Sequence, residues 1–361
     1  MAVDLRHGGN RDALAEQLGC RPEQLLDASA SLVPWTPWLR LNTRQILRDY
    51  PDRRQQRLRQ VIADVHDLDP DQVLPGNGAA ELFTWAARDA ASAGLNVLLA
   101  PGFADYSRAL STWQATTRHR VMPLRWASAF PQVFPDPGSC DVLWLCNPHN
   151  PTGQLWSRSS LELLLDRFAL VICDEAFLPL VPQGEQHSLI SLVADHPNLV
   201  VIRSLTKLFG IAGLRLGYAI AAPERLQQWT DWRDPWPVNG PAASVGVQLM
   251  GNGARYERWS HRVQRWTARE GRWMQQQLAE CPGLEPMPSA ANFLLIRSDR
   301  SLLPVKESLE QQHRILLRDC RSFQSLDDHW LRISLMQRRD NRRILNALHQ
   351  TIRASTRAAR S

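Results

Sequence analysis

Ser204-Leu205-Thr206-Lys207-Leu208-Phe209-Gly210-Ile211-Ala212-Gly213-Leu214-Arg215-Leu216-Gly217-Tyr218 begins where an apolar, β-branched run over residues 199–202 stops. Ser204 to Lys207 are therefore expected in the loop off the end of a strand. A lysine with hydroxyls before it and glycines after it is oddly placed for a solvated surface residue. Strand ends facing a crevice are where α/β proteins keep their ligands, and a lysine that acts as a nucleophile needs a crowded, desolvated position of this kind. Arg215 follows eight residues later, among small residues that let a bulky anion approach the backbone. Taken alone, Lys207 still reads as an ordinary charged residue between core strands.

Three other segments reverse that reading. Asn147-Pro148-His149-Asn150-Pro151-Thr152-Gly153 and Cys173-Asp174-Glu175-Ala176-Phe177 each close an apolar run, over residues 142–145 and 170–172. Prolines fix the shape of the first turn and leave the Asn150 amide free to donate a hydrogen bond. Asp174 follows core residues, where an acid is expensive unless it meets a cation such as a protonated ring nitrogen. Further back, Pro75-Gly76-Asn77-Gly78-Ala79-Ala80-Glu81 is a glycine turn leading into a helix with Leu82, Phe83 and Ala86 on its apolar face. Exposed N–H groups at a helix start bind anions, so Gly78, Ala79 and Ala80 are candidates to cradle a phosphate. A strand over residues 96–100 delivers Phe103 and Tyr106, aromatics that either stack on a flat ring or pack in the core.

The rest of the chain supplies a frame. His7-Gly8-Gly9-Asn10 precedes a helical pattern over residues 12–18, and its glycines could turn the imidazole and the Asn10 amide into a shared site. Residues 26–34 read as a short extended segment, and Arg48-Asp49-Tyr50-Pro51-Asp52 is a turn before a basic helix. A helix near residues 224–232 is followed by the breaker-rich Asp234-Pro235-Trp236-Pro237-Val238-Asn239-Gly240-Pro241, expected to mark the crossing between domains. Beyond it come a long amphipathic helix over about residues 245–280, strands at 292–296, 315–317 and 330–335, and a basic helix from Arg338. Arg332 sits mid-strand on the face opposite Leu331, Ile333 and Leu335, either in solvent or reaching for an anion.

At 361 residues and 44% apolar content the chain has material for about two domains with a large core. The net charge of +6 is modest, and no nucleic-acid partner is expected of it. The six cysteines show no metal-binding spacing and read as small buried hydrophobes in a reducing compartment. No apolar signal region or membrane-length run is present, so a cytoplasmic location is expected.

In order and spacing these segments resemble the fold-type I enzymes that use pyridoxal 5′-phosphate (PLP), the aspartate aminotransferase superfamily, over nearly the whole chain. The resemblance implies an α/β, PLP-dependent transferase-like fold. A large PLP-binding domain (41–240) would hold a mixed, mostly parallel sheet between helices. A smaller α/β domain (241–361) and an N-terminal arm (1–40) packed with it would complete the chain. It further implies PLP held covalently by Lys207, with Asp174 paired to the ring nitrogen and Asn150 bonded to the ring hydroxyl. Gly78, Ala79, Ala80, Ser204, Thr206 and Arg215 would hold the cofactor phosphate, and Phe103 or Tyr106 would cover the ring. Phe177 stands where the superfamily often has a tyrosine, which leaves Asn150 to do more. Tyr50, a tyrosine before a proline, would reach the phosphate of the neighbouring subunit in an obligate homodimer. Arg332 matches the arginine that clamps the substrate α-carboxylate.

Within the superfamily, five features are most similar to the L-threonine O-3-phosphate decarboxylases. They are His7-Gly8-Gly9-Asn10, Asp174-Glu175-Ala176-Phe177, Ser204-Leu205-Thr206-Lys207, Pro235-Trp236-Pro237-Val238-Asn239 and Leu317-Arg318-Asp319-Cys320. Histidinol-phosphate aminotransferases share the frame and form the alternative. Either substrate carries a phosphate monoester, and His7, Asn10, Arg318 and Arg321 are the candidates to bind it. One departure is that Asp27-Ala28-Ser29-Ala30-Ser31-Leu32 lacks the asparagine usual in decarboxylase relatives.

Overall fold

The computed structural model describes residues 8–41 and 43–358. Helix α1 (Arg11–Gln17), strand β1 (Leu26–Ala28) and helices α2 (Thr43–Arg48) and α3 (Gln56–His66) lead into β2 (Val73–Asn77). Then follow α4 (Gly78–Ala93), β3 (Asn96–Ala100), α5 (Ala104–Thr112), β4 (Thr117–Val121), β5 (Val142–Cys146), α6 (Arg158–Leu165) and β6 (Leu170–Asp174). The lysine segment is β7 (Leu199–Ser204), α7 (Leu205–Phe209) and β8 (Leu216–Ile220). After α8 (Pro223–Trp232) come α9 (Gly240–Met250), α10 (Gly253–Ala279), β9 (Glu285–Pro286) and β10 (Phe293–Arg297). The chain closes with α11 (Leu303–His313), β11 (Ile315–Asp319), β12 (Trp330–Ser334) and α12 (Arg338–Ala358).

Seven strands form the larger sheet in the order β2-β8-β7-β6-β5-β3-β4, with β8 antiparallel to both neighbours and the remaining pairs parallel. β5, β6 and β7 are buried at every position, as expected of short Val/Leu/Ile-rich strands covered on both faces. Their side chains alternate between two cores. Val171, Cys173 and Val201 join one with α3 and α9, whereas Ile172, Val200 and Ile202 join the other with Phe83, Tyr106 and Trp144. Because β2 and β7 both run antiparallel to β8, they share a direction. The ends of β2, β3, β5, β6 and β7 therefore open on one edge, where the glycine turn before α4, Phe103, the Asn-Pro turn, Asp174 and the lysine segment leave the sheet.

The smaller sheet has the order β1-β11-β12-β10-β9. The N-terminal segment joins it through β1, where Leu26 is in register with Ile315, and then crosses to α7, where Val33 N–H donates to Lys207 O at 3.4 Å.

Three local expectations differ. Lys207 lies on the five-residue helix α7, capped at its end by Gly210 with φ +65°, rather than in an open loop. The helix expected over about residues 245–280 is two, because the Asn252 side chain accepts the Arg255 N–H at 3.0 Å and starts α10 afresh. β2 forms despite Pro75 and Gly76, and the carbonyl of Pro75 accepts from Arg233 Nη1 at 2.6 Å. Among the described residues no helix is long and apolar enough to cross a membrane.

Candidate active site

At the edge where the strands open lies a cavity of about 190 Å³ between the two sheets. Lys207 and Asp174 line it together with Ala79, Ala80, Phe103, Asn150, Phe177, Ser204, Thr206, Arg215, Arg318 and Arg332. The cavity gathers side chains from both sheets and from the segment between β1 and α2, which contributes Ser29, Ala30 and Ser31.

Lys207 and Lys306 are the only lysines among 42 basic residues. Lys306 is paired with Glu310 at 2.9 Å on α11, whereas Lys207 Nζ lies 5.4 Å from the centroid of the Phe177 ring. Burial, followed by the guanidinium charges of Arg332 and Arg215, pushes the Lys207 amine down to about 8, against the pull of Asp174. The amine is still mostly protonated at pH 7, but the neutral form that attacks an aldehyde is far more populated than in an exposed lysine.

Asp174 ends β6 and is buried, which pushes its carboxyl up to about 6. Its Oδ1 accepts the Ala176 N–H at 2.8 Å and its Oδ2 accepts the Tyr106 hydroxyl at 2.5 Å. At pH 7 it remains mostly an anion, poised for a cation in the cavity.

At one end of the cavity the parts of a dianion site converge. Ala79 and Ala80 lie in the first turn of α4, whose N-cap, Asn77, makes no side-chain cap. The Thr206 hydroxyl is buried without a partner among the described residues, beside Ser204 and Arg215. Gly78 backs this cup without lining the cavity. Its φ is +73°, and a Cβ there would lie 2.6 Å from Arg215 Nη2. An orphaned hydroxyl, a guanidinium and free helix N–H groups fit a phosphate monoester. With the Lys207 amine and the Asp174 carboxylate beyond it, the donor set fits PLP.

The other end is cationic. Arg332 is buried and donates to Asn150 Oδ1 at 2.5 Å and to Ser29 O at 3.1 Å, two uncharged acceptors, while its Nε has no partner among the described residues. Burial and then the charge of Arg318 pull its pKa down to about 10. Arg318 on β11 lies directly opposite Arg332 on β12, and its Nη2 donates to Ser322 Oγ at 2.7 Å. Like charges in register across strands are unfavourable without an anion between them.

Some expected residues lie elsewhere. Tyr106 does not cover the cavity: its hydroxyl is taken by Asp174 and its ring is buried against Phe83 and Trp144, so Phe103 alone of the two lines it. Arg321 turns away, held by Asp319 at 2.7 Å. Asn10 lines a neighbouring cavity of about 270 Å³ that shares Gly8, Ser29 and Arg318 with the first. Tyr50 is 81% exposed and stacks on Trp236 at 4.6 Å, away from this chain's own cavity. His7 lies outside the described residues.

One buried feature beside the site was not anticipated. Glu175, next to Asp174, and Arg203, next to Ser204, form a buried ion pair at 2.6 Å that ties the ends of β6 and β7 together. Glu185 and Ser188 complete its hydrogen bonding. The sequence signal was the charge at each end of an apolar run, although nothing local pairs the two.

The chain matches the family model for aminotransferase class I and II over residues 16–348. It is 34% identical to threonine-phosphate decarboxylase of Salmonella typhimurium, over 96% of both chains. It is 33% identical to a histidinol-phosphate aminotransferase of Symbiobacterium thermophilum, over 83% of this chain and 81% of that one. Among solved structures, the histidinol-phosphate aminotransferase from Clostridium acetobutylicum superposes with a TM-score of 0.81 at 23% identity, covering 91% of this chain and all of that one, a likeness of fold.

Proposed function

The chain belongs to the class I and II aminotransferase family, and from that premise we propose that it is a PLP-dependent carboxy-lyase. Its reaction removes the α-carboxylate of L-threonine O-3-phosphate to give (R)-1-aminopropan-2-yl phosphate, for cobalamin synthesis in the cytoplasm. When bound, PLP supplies an electron sink that accepts the pair left at the substrate Cα as carbon dioxide departs.

The chain's own residues bind and aim. Lys207 offers the amine that carries the cofactor, and Asp174 keeps the ring nitrogen protonated. Gly78, Ala79, Ala80, Ser204, Thr206 and Arg215 hold the cofactor phosphate, Asn150 faces the ring hydroxyl, and Phe103 and Phe177 wall the ring. Arg332 forks onto the substrate carboxylate. Arg332 is hydrogen-bonded to Asn150, which ties the group that grips the substrate to the group that faces the ring. Arg318, with Asn10 and His7 from the arm, takes the substrate phosphate. Residues 41–240 form the large PLP-binding domain, and 241–361 the small C-terminal domain with which the 1–40 arm packs. Exposed Tyr50 reaches the phosphate of a second copy, so the working unit is a homodimer.

The observation that carries this reading is Arg318 set opposite Arg332 in a cavity that already has Arg215 at its far end. That arrangement supports a substrate with two anionic groups of its own beside the cofactor phosphate. The test is to incubate the PLP-loaded protein with threonine phosphate. Carbon dioxide and aminopropanol phosphate are expected without any 2-oxoglutarate. Amino transfer that depends on an oxoacid, with histidinol phosphate or threonine phosphate, would overturn the proposal.

A further inference from the structure

Tyr106 touches neither end of the cavity, yet it contacts two of the groups that matter there. Its hydroxyl donates to Asp174 Oδ2, and its ring meets the edge of Phe103 at 5.5 Å and 84°. Phe103 is the N-cap of α5 and Tyr106 lies one turn on, where its N–H donates to Phe103 O at 3.3 Å. A single helical turn therefore joins the aromatic wall of the cavity to the carboxylate at its floor. Phe83 and Trp144 pack the Tyr106 ring from the other side, at 5.1 and 5.5 Å between centroids.

We propose that Tyr106 is a positioning residue, whose phenol holds Asp174 as an aimed anion and keeps it in register with Phe103 across the cofactor ring. The proposal rests on PLP occupying this cavity. Burial by itself drives Asp174 toward its neutral acid. A neutral acid can still accept a hydrogen bond through its carbonyl oxygen, but it lacks the charge that holds a ring nitrogen protonated. A donor fixed on Oδ2 opposes that drift. Tyr106 is suited to it because burial pushes its own ionisation far up, so its proton stays on oxygen and the bond keeps one direction. The other titratable groups facing the carboxylate are the Cys146 thiol on β5, which donates to Pro148 O at 3.1 Å, and the Lys207 amine on α7. Cys173 on β6 and Glu175 just past its end flank it, the latter paired with Arg203. Tyr106 is the hydroxyl donor in this set, fixed on Oδ2, and the Cys146 thiol adds a weaker hydrogen bond to the same carboxylate.

Tyr106→Phe keeps the ring and its packing and deletes the hydrogen bond alone. The cofactor-free variant and the cofactor-free parent are melted, then titrated with PLP between pH 5 and 9, by absorbance. The melting temperature is expected to stay within a few degrees. PLP affinity near pH 7 is expected to fall several-fold, because a smaller fraction of Asp174 is then the anion that the ring nitrogen needs. The acid limb of the affinity profile, set in the parent by protonation of Asp174, is expected to move to higher pH. On an Asp174→Asn background the same change should alter affinity less than about twofold, since the anion it supports is gone. Unchanged affinity and acid limb in Tyr106→Phe would overturn the proposal, as would an equal loss on the Asp174→Asn background, which would make the role one of packing. A parent protein that takes up no PLP would instead defeat the cofactor reading, and this inference with it.

Discussion

Replacing Arg332 by glutamine separates substrate binding from folding. The side chain is 5% exposed, and burial with the charge of Arg318 brings its pKa from 12.5 to about 10. That difference corresponds to about 3 kcal/mol for keeping the guanidinium charged inside the fold. Glutamine removes this cost and the like charge opposite Arg318. It also withdraws charged donors from Asn150 Oδ1 and Ser29 O, a loss of about 1.5 to 3 kcal/mol for each bond. The two contributions largely offset, leaving up to about 3 kcal/mol of destabilisation, so the cofactor-free variant should melt at or a few degrees below the parent temperature. Turnover should not escape so lightly. Two charge-assisted bonds to the substrate carboxylate, at about 1.5 to 3 kcal/mol each, predict a fall in kcat/KM of about 10²- to 10⁴-fold. Calorimetry of the cofactor-free protein and steady-state carbon dioxide release measure the two sides. A melting temperature lowered by many degrees together with near-normal kcat/KM would refute the reasoning, because Arg332 would then be a structural ion.

Other parts of the site give separate tests. Gly78→Ala forces a side chain at φ +73° to within 2.6 Å of Arg215 Nη2; with about 1–2 kcal/mol of backbone strain, PLP affinity measured by titration should fall about tenfold or more. In the cofactor-free protein the pKa of Lys207 is lowered from 10.5 to about 8. Between those values the unfolded chain holds a proton that the folded one has lost, so this group's contribution to stability rises as pH increases from 8 to 10.5. Melting curves across that window should show the rise, and Lys207→Met should lack it. Co-expressing Tyr50→Ala and Lys207→Ala chains should restore activity to roughly a quarter of the sites, since half the dimers are mixed and each of those has one complete site. Activity no greater than in the Tyr50→Ala homodimer would place Tyr50 outside the partner's cavity.

Much of this site was legible because its parts are local. Each motif is a turn closing an apolar run, and the parallel strands of one sheet necessarily deliver such turns to one edge. What escaped depends on pairing between distant segments. The Tyr106 ring looked equally suited to cover a ligand, and only the position of Asp174, 68 residues away, claims its hydroxyl. Arg318 and Arg321 were indistinguishable as anion binders until the Asp319 carboxylate, at the end of β11, captured Arg321 in the turn that follows. The break between α9 and α10 was hidden by apolar spacing that runs through it, although the cap at Asn252 was there to be read. The 14 tryptophans had no account in the sequence. In the structure Trp144, Trp156 and Trp229 fill the core, while Trp236 is stacked between Tyr50 and Arg53.

With only two lysines in the chain, the attachment point of the cofactor can be decided by one measurement. The PLP-loaded protein is reduced with borohydride, digested, and its peptides weighed by mass spectrometry. The added mass of the reduced cofactor is predicted on the peptide containing Lys207 and on no other. An adduct on the Lys306 peptide, or no adduct at all, would contradict the account.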